Sequence, residues 1–305
     1  MPVVMRSVRA GVAALVALGA VSASWSVAGQ DEPPGAGLVV CYPNAPGSTD
    51  AARPVMERLG AHLTWRAGFD VQPVYTNDAD EARRWIETQR PRFAILSLAL
   101  YLRWREALGL QVVAQSERSH AATERYHLVV GNGSPLRSLA DLKGGVAGRK
   151  PVVWSSHLDD PRFVSGVVLA GALRVTADDA GDARGVVTAQ PLRALRRMKA
   201  GEPFEGQPVD AVLLEDAAWV ELQKIASFRD ELRALHTSPP LPTPPVVAIG
   251  EVDPADVERL RAALLAMHED AAGRELLGTL QVTGFTAPAP DAMSAAVAAY
   301  EAAER

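Results

Sequence analysis

Eight side chains are placed where a ligand could be received: Tyr42, Ser48, Ser97, Ser155, Ser156, His157, Ser165 and Glu215. Each follows an apolar run that reads as a strand or stands at the start of a helical pattern. Serine hydroxyls and an imidazole offer hydrogen-bond donors to an oxyanion, and backbone N–H groups at a helix start suit the same charge. The same residue types would also serve nucleophilic chemistry if Ser155 or Ser165 met a histidine base. That serine hydrolase is the weaker reading, because there is no Gly-x-Ser-x-Gly elbow. Gly131-Asn132-Gly133-Ser134 has neither dinucleotide-fingerprint nor phosphate-loop spacing. His120, His127 and His157 lack metal-ligand spacing, so no catalytic residue, metal or cofactor is expected. Each candidate has a plainer role beside the ligand role. Ser48 caps a helix, Ser155 and Ser156 bond turn backbone, and Glu215 charges a helix start.

The elements that must position these residues alternate. Strand patterns at Leu38–Tyr42, Val71–Tyr75, Phe93–Leu96 and Leu110–Gln115 are interleaved with helical ones at 49–63, Asp78–Gln89 and Leu98–Leu108. The alternation restarts after residue 134. Strands are expected at Val152–Trp154, Val209–Leu214, Leu232–Leu235 and Val246–Ile249, and helices at Pro161–Leu173, Pro191–Lys199, Glu215–Ile225 and Asp253–His268. This order predicts an α/β fold with mostly parallel sheets flanked by helices. Two segments read as connections between lobes: Val130–Pro135 with its glycines, and Ser238–Pro245 with five prolines. A chain that leaves one domain, builds a second and returns is two-lobed. The expected boundaries are 38–133 and 244–290 for the first lobe, 134–243 for the second and 291–305 for a C-terminal helix. The chain should cross near Val129–Asn132 and Val246–Ile249.

With 305 residues and 48% hydrophobic content, the chain has ample material for such cores. Arg6 and Arg9, the apolar run 10–21 and the small residues after it predict a signal peptide over 1–28 and a periplasmic destination. Its removal takes away two arginines and no acid, so the net charge of −5 becomes −7. An acidic exported chain is a poor nucleic-acid binder. Cys41 is the single cysteine, so no intrachain disulfide forms, and a buried strand thiol is expected.

"SPLRSLADLKGGVAG" (134–148) resembles the phosphate, phosphite and phosphonate substrate-binding proteins of ABC transporters. "ARRWIETQRPRFAILSLALYL" (82–102), "FVSGVVLAGAL" (163–173) and "SPPLPTPPVVAIGEVDPADVERLRAALLAM" (238–267) are similar to further segments of that family in the same order. The resemblance implies the type 2 periplasmic binding protein fold with two crossover strands. It also implies capture of a small anionic ligand between the lobes, an ABC permease as partner and a monomer. A ligand sensor of the same fold without a transporter is the alternative. Phe163-Val164 stands where phosphonate binders carry Ser-Thr, which should make the second-lobe side more apolar and favour an organic ligand with a small acidic end.

Overall fold

In the computed structural model, the described residues are 37–303 except Pro46 and Asp179. The expected signal peptide lies outside them. The chain runs β1 (Leu38–Cys41), α1 (Thr49–Ala67), β2 (Pro73–Thr76), α2 (Ala79–Gln89), β3 (Phe93–Leu96), α3 (Leu98–Trp104), β4 (Leu110–Glu117), β5 (Thr123–Glu124), β6 (Tyr126–Gly131), α4 (Leu139–Lys143) and β7 (Val152–Ser155). A π-helical turn at Phe163–Val168 is followed by β8 (Val175–Thr176), β9 (Ala183–Val187), α5 (Pro191–Ala200), β10 (Ala211–Glu215), α6 (Asp216–Gln223), α7 (Ala226–Arg229) and β11 (Leu232–Thr237). The chain ends with β12 (Leu241–Pro242), β13 (Pro245–Ile249), α8 (Pro254–Leu265), a 3-10 turn, α9 (Ala271–Thr279), β14 (Gly284–Thr286) and α10 (Pro290–Ala302). Among the described residues no helix is long and apolar enough to cross a membrane.

Helix starts follow local chemistry. Ser48, Asp78, Ser97 and Ser138 accept hydrogen bonds from the first turns of α1, α2, α3 and α4. At α4 the Asp141 carboxylate also accepts from the Ser138 N–H at 2.8 Å, a reciprocal cap that lets a five-residue helix form around buried Leu142. The apolar stripe of α1 buries Met56, Leu59 and Leu63, and β1 is buried along its whole length, as a central strand of an α/β sheet must be. Burial pushes the Cys41 thiol up to about 12, which leaves it inert.

The strands form two six-stranded sheets, ordered β14-β4-β13-β3-β1-β2 and β11-β6-β10-β7-β9-β8. In the first, β1 pairs in parallel with β2 and β3, while β13 runs antiparallel between β3 and β4. In the second, β10, β7, β9 and β8 are parallel, and β6 runs antiparallel between β10 and β11.

The crossing points differ from those expected. β6 pairs with β10 and β11, so Tyr126–Gly131 belongs to the second sheet, and β13 lies wholly in the first. The chain passes between the sheets at β5 and β12, which pair antiparallel as a two-stranded ribbon with Leu241 opposite Glu124. Gly131 and Gly133 mark the turn that ends β6, and neither takes a positive φ. The real crossover carries polar residues that zip the ribbon. Tyr126 N–H donates to Ser238 Oγ at 3.0 Å, and Thr243 N–H to the Ala122 carbonyl at 3.1 Å. In place of the expected helix Pro161–Leu173 there is a π-helical turn, within which the Ser165 hydroxyl bonds β8 backbone. α10 is tied to both lobes. Glu301 pairs with Arg105 of the first, and the Tyr300 hydroxyl donates to Asp160 of the second at 2.9 Å.

Candidate ligand-binding cleft

Strand ends and helix starts from the two lobes meet around an interlobe cavity of about 960 Å³. On the first lobe, β1 runs into Tyr42 and Asn44, and β3 into Ser97, the cap of α3. On the second, β7 runs into Ser156 and His157, and β10 into Glu215, the residue before α6. These ends converge because parallel strands present their carboxyl ends on one side of the sheet. Tyr42, Ser97, Ser156, His157 and Glu215 all line the cavity.

Three expected residues do not. Ser48 is exposed and accepts from Ala51 N–H as the α1 cap. Ser155 is 0% exposed. Its hydroxyl donates to the Leu213 carbonyl at 3.1 Å and accepts from His157 N–H at 3.3 Å, so it shapes the loop from behind. Ser165 bonds both backbone groups of Val175 and lines a separate cavity under α10. Among the described residues both hydroxyls bond backbone groups rather than a histidine ring. Phe163 and Val164 are fully buried and do not line the cleft, so they do not alter its polarity.

The floor of the cleft is a buried charge cluster whose centre, Arg118, was not anticipated. Its Nη1 lies 3.0 Å from Glu124 Oε2 and also bonds Glu215 Oε2. Glu215 Oε1 in turn lies 3.1 Å from His157 Nε2. The edge of His157 faces Tyr126, with ring centroids 5.1 Å apart. Arg118 directly follows β4, Glu124 is in the crossover ribbon, and Glu215 and His157 belong to the second lobe, so the cluster spans the crossover. Glu124 and Arg118 fall in the polar run "SERSHAATER" (116–125) between two apolar strands. Their only sequence signal is opposite charges in a polar segment between those strands.

Burial, followed by the charge of Glu215, raises the Glu124 carboxyl to about 7. Burial would raise Glu215 too, but Arg118 and His157 together hold it well below the usual carboxylate range. Burial opposes the positive form of His157, yet its bond to Glu215 and the surrounding carboxylates raise its pKa above the ordinary value. Burial also pushes the Tyr42 and Tyr126 phenols up, so both stay neutral donors. The two cations of the floor, Arg118 and His157, are thus each set against a carboxylate, and the raised Glu124 carboxyl takes up a proton more readily than an ordinary one.

Three sets of contacts hold the lobes together at the cleft. Besides Arg118 with Glu215, Asn44 Nδ2 donates to the Ser156 carbonyl at 3.0 Å. Arg103 of α3 reaches Asp159 at 3.3 Å and buried Asp160 at 3.1 Å. Asn44 takes φ 57°, a left-handed conformation that asparagine tolerates and that aims its amide across the gap.

The comparisons agree with this architecture. Residues 44–157 and 205–293 match the family model of the ABC transporter phosphonate periplasmic substrate-binding protein. No curated protein matches the chain in sequence. Among solved structures, XAC2383 from Xanthomonas citri bound to ATP superposes with a TM-score of 0.68 at 16% identity, covering 88% of this chain and 98% of that one. A binding protein component of an ABC phosphonate transporter from Pseudomonas aeruginosa gives 0.59 at 16% identity, covering 82% and 80%. PhnD1 from Prochlorococcus marinus in complex with methylphosphonate gives 0.54 at 13% identity, covering 89% and 99%. These likenesses establish a shared fold, and the family match covers more than half of the chain. The chain belongs to the periplasmic substrate-binding proteins of the phosphonate ABC transporter family.

Proposed function

We propose that this protein captures a small anionic solute between its two lobes and presents it to an ABC importer, as a monomer and without covalent chemistry. In this reading residues 1–28 direct export and are removed. The first lobe is then built from the segments before β5 and after β12, and the second from those between. Tyr42, Ser97, Ser156, His157 and Glu215 face the solute, with Asn44, Arg118 and Glu124 added to the expected set. The supporting observation is an interlobe cavity whose floor sets Arg118 and His157 against Glu124 and Glu215 and whose walls come from strand ends of both lobes. Such a floor tolerates an incoming anion, and neutral phenols can hydrogen-bond it. Closure by hinge motion would break and remake the Asn44–Ser156 and Arg118–Glu215 contacts.

Thermal denaturation of the mature protein with a panel of phosphate, phosphonates and organic acids tests this. A ligand at 100 times its dissociation constant should add about 2.7 kcal/mol. If no anion raises the melting temperature while cationic or neutral solutes do, the anionic reading fails.

A further inference from the structure

The attraction left over for a ligand lies away from the floor. Arg193 and Arg196, one turn apart on α5, line the same cavity on its second-lobe rim and are exposed. Neither has a carboxylate partner among the described residues. Arg193 donates only to Gln190 Oε1, at 3.2 Å, and its guanidinium lies 5.8 Å from the Phe204 ring. No acidic residue stands in the first turn of α5. On the floor, by contrast, Arg118 and His157 already face Glu124 and Glu215. An arriving anion therefore meets its strongest uncompensated charge at the rim, where two guanidinium forks three positions apart on one helix can clasp one oxyanion.

Between rim and floor the lining includes a set of apolar and aromatic residues, Tyr42, Val55, Met56, Leu98 and Leu280, beside polar Asn44, Ser97 and Ser156 and the Asp159 carboxylate that Arg103 already pairs. The cavity of about 960 Å³ is near the top of the roughly 300–1,000 Å³ that encloses drug-sized organic ligands. An inorganic oxyanion or a one-carbon phosphonate would leave most of that surface wet.

We infer that the ligand is an elongated organic oxyanion, with its charged end held by Arg193 and Arg196 and an apolar body of several carbons laid along the wall towards Tyr42 and Leu98. This rests on the solute-capture reading and names the ligand class of that cleft.

Calorimetric titration of the mature protein with straight-chain carboxylates from acetate to octanoate, alongside inorganic phosphate and methylphosphonate, tests the assignment. Affinity should rise about fourfold for each added CH₂ until the wall is covered, and octanoate should outbind both phosphorus anions. The Arg193→Gln/Arg196→Gln variant should lose at least tenfold in octanoate affinity at an unchanged melting temperature, because both side chains are exposed. Phosphate or methylphosphonate binding as tightly as octanoate would overturn the assignment and leave anion capture standing. So would an affinity that does not change with chain length, or a double variant that binds like the wild type. Silence of every anion in the panel would defeat both.

Discussion

Replacing Glu124 by glutamine should stabilise the ligand-free protein at pH 8 and change it little at pH 5. The side chain is 4% exposed, and burial, with the nearby Glu215 charge, raises its carboxyl from 4.5 to about 7. Between those values the native state keeps a proton that the unfolded chain has released. Wild-type stability therefore falls as pH rises through that window and levels off above it. At about 1.4 kcal/mol per pKa unit, the full loss is at most about 3.5 kcal/mol, and about 2 kcal/mol is a fair expectation with Arg118 so close. Glutamine keeps the shape, still accepts from the Arg118 guanidinium and carries no charge at any pH. His157, whose pKa is also raised, loses stability in the same direction with rising pH. Glu215, held low, contributes stability above the ordinary carboxylate range. Both groups remain in the variant and largely cancel in the difference, while the Tyr42 and Tyr126 phenols do not titrate in this range. Urea unfolding followed by tryptophan fluorescence at pH 5, 6, 7 and 8 measures the gap. A constant gap across that range, or a wild type more stable at pH 8, would mean that the ion pair with Arg118 outweighs burial, and the reasoning would be refuted.

Arg118→Met leaves Glu124 and Glu215 buried without their guanidinium and should cost about 3–5 kcal/mol in denaturant unfolding; a loss below 1 kcal/mol would show the cluster to be solvated. Asn44→Ala removes one interlobe hydrogen bond, worth about 1 kcal/mol, and should weaken the ligand found in the thermal screen about fivefold by calorimetry. An unchanged affinity would place Asn44 outside the closing motion. Ser155→Ala orphans the Leu213 carbonyl and the His157 N–H, so it should destabilise by about 1–3 kcal/mol. A neutral result would show that the loop holds its shape without that hydroxyl.

What was legible in the sequence depended on whether the signal was local. Strands such as Phe93–Leu96 and Val246–Ile249 read correctly because they are short apolar runs flanked by turn or helix-start residues. The α4 cap read correctly because Ser138 and Asp141 act within one turn. Tyr126–Gly131 reads as the end of the first lobe yet pairs in the second sheet, because an apolar strand carries no label for its partners. The glycines at its end suggest a crossover that lies seven residues before Gly131, at Glu124. Ser155, Ser156 and His157 were grouped as one cleft loop, yet strand alternation turns the first hydroxyl into the second lobe and leaves its neighbours at the cavity. Arg118 could not be found this way, since its two carboxylate partners lie 6 and 97 positions along the chain.

The place of β13 sets the order in which the molecule can be assembled. Every strand of the second sheet comes from one unbroken stretch, Tyr126 to Thr237, whereas the first sheet needs a strand from beyond it to join β3 to β4. As the chain emerges amino end first, the second lobe has all its parts while the first is still two fragments, with one edge of β3 unpaired. Unpaired edges invite association with other chains, and pairings so distant in sequence form slowly. The vulnerable interval in the life of this protein is thus the wait for a single five-residue strand.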